Sequence, residues 1–440
     1  MSQEIIKKIL NKSFSDETEI FYYQRVNELT RFSSNEITQN VSSENEFADI
    51  RTISNKRTIS TSINDFSDTS IERAYGNLKK LINQQPEDDR LLPLQGPGNI
   101  KADKNMETLL QQLTPEKKAL YVKQIVDKLE DNGIWSAGIV SNTKNRGILA
   151  NSGGFYGEQV NSNFRFSLSA KKNDKVTREE FSDFDEKNFN ADQITEKIIT
   201  NFKLMEKQQR VNAGKYDVIL TPEAFATFIM FFLFFPFSAK SYMEKRTFLI
   251  NSLGKKEFPD FFTLYDDPLN NGNPIAAFDN EGTPCSRTQL VENGVCKSLL
   301  SNRYLSQKLN IPNTGNALSI PAQDVFPFYP KITRGNKSME EMIRSTEKGL
   351  FINRFHYLNI IDPMSISVTG MTRDGVFFID NGEIVSSTNN LRFTESIITA
   401  LKNMVELSNS VQNIPFMGRG FIELPAVKIR DFNFTSTTDF

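Results

Sequence analysis

One imidazole limits what chemistry this 440-residue chain can do. His356, in RFHYLN, is its single histidine. HExxH-type zinc sites need two histidines placed together, and Cys/His zinc frameworks need more ligands than are present. A Ser–His–Asp or Cys–His relay would have to use His356 as its base. The bland alternative is a histidine hydrogen-bonded in a half-buried loop; a role in binding substrate stands beside it. The two thiols, Cys285 and Cys296, flank a hairpin-like stretch, GTPCSRTQLVENGVC. That is neither a CxxC pair nor a disulfide framework, and it reads as two reduced, structural cysteines.

Oxygen ligands are the next resource. Asp266-Asp267 and the 279–281 triplet could hold a hard cation, but DDP and DNEG are equally turn sequences, and the turn reading is the stronger. GNPIA, NTGNA and GMTRDG contain glycines without the spacing of a P-loop or dinucleotide cradle. The most function-like polar cluster is TGMTRDG (369–375), followed by VFFIDNGEIV. Arg373 and Asp374 at a loop tip could grip a peptide carboxylate or amide. Alternatively, Asp374-Gly375 and Asn381-Gly382 are simply hairpin turns.

The elements that must position these groups can be read from periodicity. Residues 19–63 alternate apolar and polar in five short pieces separated by turn signals such as SNKR (54–57), predicting an antiparallel meander. Helices are predicted over 68–85, after Thr114 with Pro115 in its first turn, and over 191–209. Strand-like pieces lie at 135–142, 146–154 and 163–172, and the charged stretch 171–187 reads as an exposed excursion. A boundary near 212 divides the chain into an α+β half (1–212) and a mainly β half (213–440). The second half has one late helix, 394–408, and one very apolar segment.

That segment, PEAFATFIMFFLFFPFSAK, holds seven phenylalanines and no carboxylate after Glu223. Thr221, Pro222 and Glu223 form a helix start, and Pro236 a stop. Its unbroken apolar run falls short of the roughly 20 residues a spanning helix needs, so it reads as a buried core helix. The N-terminal MSQEIIKKIL reads as an amphipathic helix rather than a secretory signal, and a cytoplasmic protein without membrane attachment is expected. Net charge is −2 and the pI about 5.9, which gives no basic footprint for nucleic acid.

These pieces together resemble the TldD/PmbA (TldD/TldE) peptidase family. RFSSNEITQNV (31–41) looks like its N-terminal signature. DDPLNNGNPIAAFDNEGTP (266–284), LVENGVCKSLLSNRYLSQKLNIPNTGNA (290–317) and TGMTRDGVFFIDNGEIV (369–385) follow in the family's order. The resemblance implies an α+β N-terminal domain, a mostly β C-terminal domain, and a dimer enclosing a cavity for unfolded peptides. Active members carry HExxxH on a helix after a hydrophobic strand, and two histidines and a later cysteine hold zinc. Here the strand is YDVIL (216–220). Ungapped alignment puts Met230 and Phe235 at the histidine positions and Phe231 at the glutamate. No zinc, no other cofactor and no catalytic residue are therefore expected in this chain. The implied role is a non-catalytic, PmbA/TldE-like subunit, homodimeric or paired with a zinc-bearing TldD-like partner, with His356, Arg373 and Asp374 as candidate peptide contacts. Two alternatives remain: a zinc-independent homodimeric hydrolase using His356, and a peptide-binding regulator. The family's description as a modulator of DNA gyrase would require an effect through protein, given the acidic balance.

Overall fold

The alternation over 19–63 forms three long strands rather than five short ones. The structure, a computed structural model, describes residues 2–101, 113–270, 275–319, 324–416 and 420–438. The GNP of GNPIA, at 272–274, lies outside the described residues. Strands β1 (Glu17–Ser33) and β2 (Glu36–Ser54) pair along their whole length. Asn55 and Lys56, both left-handed, then turn the chain into β3 (Arg57–Ile63). With β4 (Gly98–Ile100), β5 (Trp135–Asn151), β6 (Phe155–Lys172) and β7 (Lys175–Asp183) they make a seven-stranded sheet of order β3-β2-β1-β5-β6-β4, with β7 also on β6.

β7 corrects the expectation of an exposed excursion at 171–187. Thr177, Glu179 and Ser182 are buried. The charges that made the segment look solvated are paired instead, Glu179 with Lys197 at 2.7 Å and Glu180 with Arg165 at 3.2 Å and with Arg178.

Helices α1 (Ser2–Leu10), α2 (Asp68–Leu81), α3 (Pro115–Asp131) and α4 (Ala191–Glu206) surround this sheet. Their starts are local: Ser67, Thr114 and Asn190 each accept a backbone N–H at N3 of the helix they cap, which satisfies one of the unpaired donors of the first turn.

The second sheet has twelve strands. It begins with β8 (Gln208–Gln209) and β9 (Gly214–Leu220), and the very apolar segment follows as α5 (Pro222–Phe234). Next come β10 (Leu264–Asp266), β11 (Thr288–Glu292) and β12 (Val295–Cys296). A separate small pair, β13 (Ala317–Ser319) and β14 (Asp324–Val325), precedes β15 (Pro330–Ile332). The long strands close the sheet: β16 (Lys348–Asp362), β17 (Ser367–Asp380), β18 (Glu383–Thr388), β19 (Leu391–Ser396), β20 (Met404–Pro415) and β21 (Phe421–Thr437). The order is β12-β11-β10-β15-β21-β9-β16-β17-β18-β8, with β19 on β17 and β21 and β20 on β21. The predicted helix over 394–408 shrinks to Ile397–Lys402. Asn403 caps it, and Met404 onward pairs with β21. The apolar spacing that looked helical serves strand pairing there.

The central strands are buried on both faces, which is why they read as unbroken apolar runs. Val218 and Leu220, Leu350 and Ile352, Val376 and Phe378 pack with α5 on one face. Ile219, Phe351, Phe377 and Ile379 pack on the other with residues of α3, α4 and β6. One shared core thus joins the second sheet to the first half, in a mixed α+β fold with a mostly β C-terminal half. Among the described residues no helix is long and apolar enough to cross a membrane.

Candidate functional site

Helix α5 is fixed at its start by hydrogen bonds. The Thr221 hydroxyl accepts from the Ala224 N–H at 3.2 Å and donates to the Asn353 carbonyl at 2.7 Å. This ties the helix start to β16. Glu223 in its first turn meets Arg354 at 3.4 Å, and Arg354 reaches Asp374 at 2.8 Å. Burial pushes the Glu223 carboxyl upward, against the pull of Arg354. The residues of β7 lie close by, since the Thr177 hydroxyl donates to the Asp374 carbonyl at 3.4 Å.

The helix is not core on all sides. Phe225, Phe228, Ile229 and Phe232 are fully buried, with the Phe228 ring 5.3 Å from Phe432 and 6.1 Å from both Phe355 and Phe393. Glu223, Thr227, Met230, Phe231 and Phe234, spaced at three and four residues, form a partly buried stripe. Phe235, just past the end, is 43% exposed. Of the three positions expected at a zinc motif, Met230 and Phe231 are therefore partly buried at the margin of the core and Phe235 is exposed, a correction to the expectation of a wholly buried segment. Met230, Phe231 and Phe235 present one thioether and two hydrocarbon rings. That donor set does not fit zinc, which takes thiolate, imidazole or carboxylate.

The sheet brings His356, Arg373 and Asp374 to one place. His356 stands opposite Met371, and Arg354 opposite Arg373, in the β16–β17 pairing. β17 pairs with β19 through Met371 and with β18 from Phe377 onward. The span between, 372–376, borders a cleft of about 640 Å³. Asp374-Gly375 is not a loop tip: it is an irregularity inside β17, with φ of 58° and 124°. A Cβ on Gly375 would sit 2.7 Å from the Asn353 side-chain amide nitrogen, so a side chain there would be strained by its φ and would displace Asn353. Asn381-Gly382, by contrast, is the β17–β18 turn, both residues left-handed.

The three candidate residues divide by environment. The Asp374 side chain is only 10% exposed and committed to Arg354, whereas the Arg373 side chain is 55% exposed. His356 lies in strand β16 rather than a loop; partial burial, with Arg373 and Arg354 nearby, pulls its pKa down. Lys175 and Arg392 also line the cleft. They come from β7 and β19, far apart in sequence, and no local signal marks them. The cleft wall is therefore mixed, with cations prevailing.

The acidic clusters turn out to organise backbone. Asp279 accepts from the N–H groups of Glu281, Thr283 and Ala317 at 2.9, 3.0 and 2.9 Å. Asp266 accepts from Tyr329 N–H and the Asn316 amide, each at 2.7 Å. Burial outweighs these bonds and pushes Asp279 to about 7 and Asp266 to about 6. Among the described residues no group of three or more His, Cys, Asp or Glu could hold a metal. Both cysteines are free and buried.

Comparison with known proteins agrees with this architecture. Residues 213–436 match the model described as PmbA/TldA metallopeptidase C-terminal domain, and residues 18–83 match PmbA/TldA metallopeptidase domain 1. A metalloprotease PmbA from Escherichia coli O157:H7 is 26% identical over 224 residues, 50% of this chain and 47% of that protein. A PmbA homolog from Buchnera aphidicola subsp. Baizongia pistaciae is 24% identical over 226 residues, 50% of this chain and 48% of its own length. The chain thus matches about half the length of these curated relatives. The structure of TldE from Thermococcus kodakarensis superposes with a TM-score of 0.83 at 20% identity, covering 98% of this chain and 100% of that one. A proposed modulator of a DNA gyrase from Thermotoga maritima superposes at 0.84 with 15% identity, covering 99% and 100%. At those identities the likeness is one of fold.

Proposed function

Since this chain belongs to the TldD/PmbA family of metallopeptidases, we propose that it is a non-catalytic, TldE-like subunit of that family. In this reading it shapes a cavity for unfolded peptides in the cytoplasm and takes its hydrolytic activity from a zinc-bearing TldD-like partner. One observation carries the proposal. The partly buried stripe of α5 and the exposed residue just past its end, where the family resemblance leads one to expect the metal motif, offer Met230, Phe231 and Phe235. Bound zinc in a partner would supply Lewis-acid chemistry; this chain's own residues would bind and orient the peptide. The 55%-exposed Arg373, with His356 beside it on the cleft, is suited to hold a peptide carboxylate or carbonyl. Asp374 acts indirectly, holding Arg354 in place.

The test is digestion of an unfolded peptide mixture by the purified chain, with and without chelator, and again after co-expression with an HExxxH-bearing relative from the same genome. Cleavage is expected only with the relative present, and only without chelator. Chelator-sensitive cleavage by the chain alone, with stoichiometric zinc, overturns the proposal. A zinc-independent hydrolase is the second reading, supported by the lowered pKa of His356, which favours the neutral imidazole a general base needs. Undiminished turnover in His356→Ala would eliminate it.

A further inference from the structure

A second pocket, of about 340 Å³, lies where the two halves meet, between β7, the start of α4, β20 and β21. It is distinct from the His356 cleft: the residues at the beginning of β7 border that cleft, and Glu179 to Asp183 border this one. Its size is near the lower end for small-ligand sites, enough for one side chain rather than a cofactor.

The walls carry an excess of acceptors. Glu179 is neutralised by Lys197, and Glu180 by Arg165 and Arg178. Asp183 and Glu423 have no cation within ion-pair distance among the described residues. Neutral donors hold Asp183: the Phe184 N–H at 2.8 Å, the Asn413 amide at 3.0 Å and the Asn188 amide at 3.1 Å. Glu423 has only the Tyr329 hydroxyl, at 3.3 Å. Glu179 and Ser182 also border the pocket; they are 7% and 5% exposed, and Glu179 Oε1 and Ser182 Oγ are buried without a hydrogen-bond partner. Such orphans are uncommon, because leaving them unmade is costly. Beside them stand apolar walls: Ile194, Val411, Ile414 and Pro415.

We infer that this pocket binds the guanidinium-bearing side chain of an arginine residue in a peptide. A guanidinium brings several donors in a fixed fork and no acceptor, which suits Asp183 and Glu423 together. Its methylene stem suits the apolar walls. A metal ion is a poorer match, since no metal-binding group of three ligands is present among the described residues. Only the peptidic source of the cation rests on the function proposed above; the pocket's chemistry stands apart from it.

The experiment needs neither partner nor hydrolysis. Binding of N-acetyl-argininamide to the full chain is measured calorimetrically against N-acetyl-citrullinamide, which has the same shape but no charge, and against free arginine. Saturable binding of the arginine amide is expected, with the citrulline analogue weaker by roughly tenfold or more. Glu423→Gln and Asp183→Asn should each weaken it several-fold while unfolding at the same urea concentration as the parent. Equal binding of the citrulline analogue, or undiminished binding in both variants, overturns the inference. Tighter binding of free arginine than of the amide overturns the peptidic source. Failure here leaves the digestion result unaffected, and the two ideas fail separately.

Discussion

Truncating α5 on its two faces tests whether the aligned motif positions lie at a surface. Phe228 is fully buried, its ring between those of Phe355, Phe393 and Phe432 at 5.3–6.1 Å. Phe228→Ala removes that ring from a packed core and leaves a cavity, a change that costs about 3–5 kcal/mol. Phe235 is 43% exposed and makes its closest ring contact with Phe234, at 4.3 Å. Fully burying a phenylalanine is worth about 1.5–3 kcal/mol, so losing a little over half of that gives about 1–2 kcal/mol for Phe235→Ala. Urea unfolding followed by far-ultraviolet circular dichroism reads both. The Phe228→Ala midpoint should fall about two to five times as far as that of Phe235→Ala, since denaturant slopes track the same exposed surface. Equal losses would mean that Phe235 is as well packed as Phe228, and would refute the assignment of Phe235 to a surface open to a peptide or a partner.

Three further outcomes follow from the same geometry. Thr221→Val keeps the side-chain shape but removes the hydroxyl shared by the Ala224 N–H and the Asn353 carbonyl; a loss of about 1–3 kcal/mol in urea unfolding is expected, and an unchanged midpoint would count against the tie between α5 and β16. Because burial raises the Asp279 pKa from 3.8 to about 7, the stability linked to it is fully present below about pH 4. It is lost as pH rises through about 7, at up to about 1.4 kcal/mol per pH unit. Asp279→Asn does not titrate, so the parent's advantage over it in melting temperature should shrink between pH 5 and pH 8; a constant or growing advantage contradicts the burial argument. Finally, burial raises both thiols, Cys296 to about 12 and Cys285 well above its ordinary value, so a colourimetric disulfide reagent should label neither in the native protein and both in denaturant. Fast native labelling of either one would be inconsistent with this packing.

Much of the local structure was legible in advance because its causes are local. Thr114-Pro115 and Thr221-Pro222 start helices by capping and by proline's fixed φ. The SNKR and Asn381-Gly382 turns follow from residues that tolerate positive φ, and YDVIL is a strand because β9 is buried on both faces. Where the cause was distant, the sequence misled. Residues 175–183 looked solvated because the charges that neutralise Glu179 and Glu180 come partly from α4 and β6. Residues 394–408 looked helical because apolar spacing does not distinguish a helix face from strands paired with β21. In α5, apolar residues on every side erase the periodicity that would separate a core face from an open one.

The chain by itself therefore determined the family pattern, the helix starts and the lack of imidazole pairs, since these are matters of residue identity and short-range spacing. Only the tertiary structure decided that Met230 and Phe231 sit at the margin of the core while Phe235 is exposed. The same holds for Lys175 and Arg392 joining His356 and Arg373 on one cleft, and for Asp183 and Glu423 bordering a pocket without a cation. Those facts depend on which surfaces two sheets can cover and which charges they bring within a few ångströms, and neither is encoded at any fixed separation along the chain.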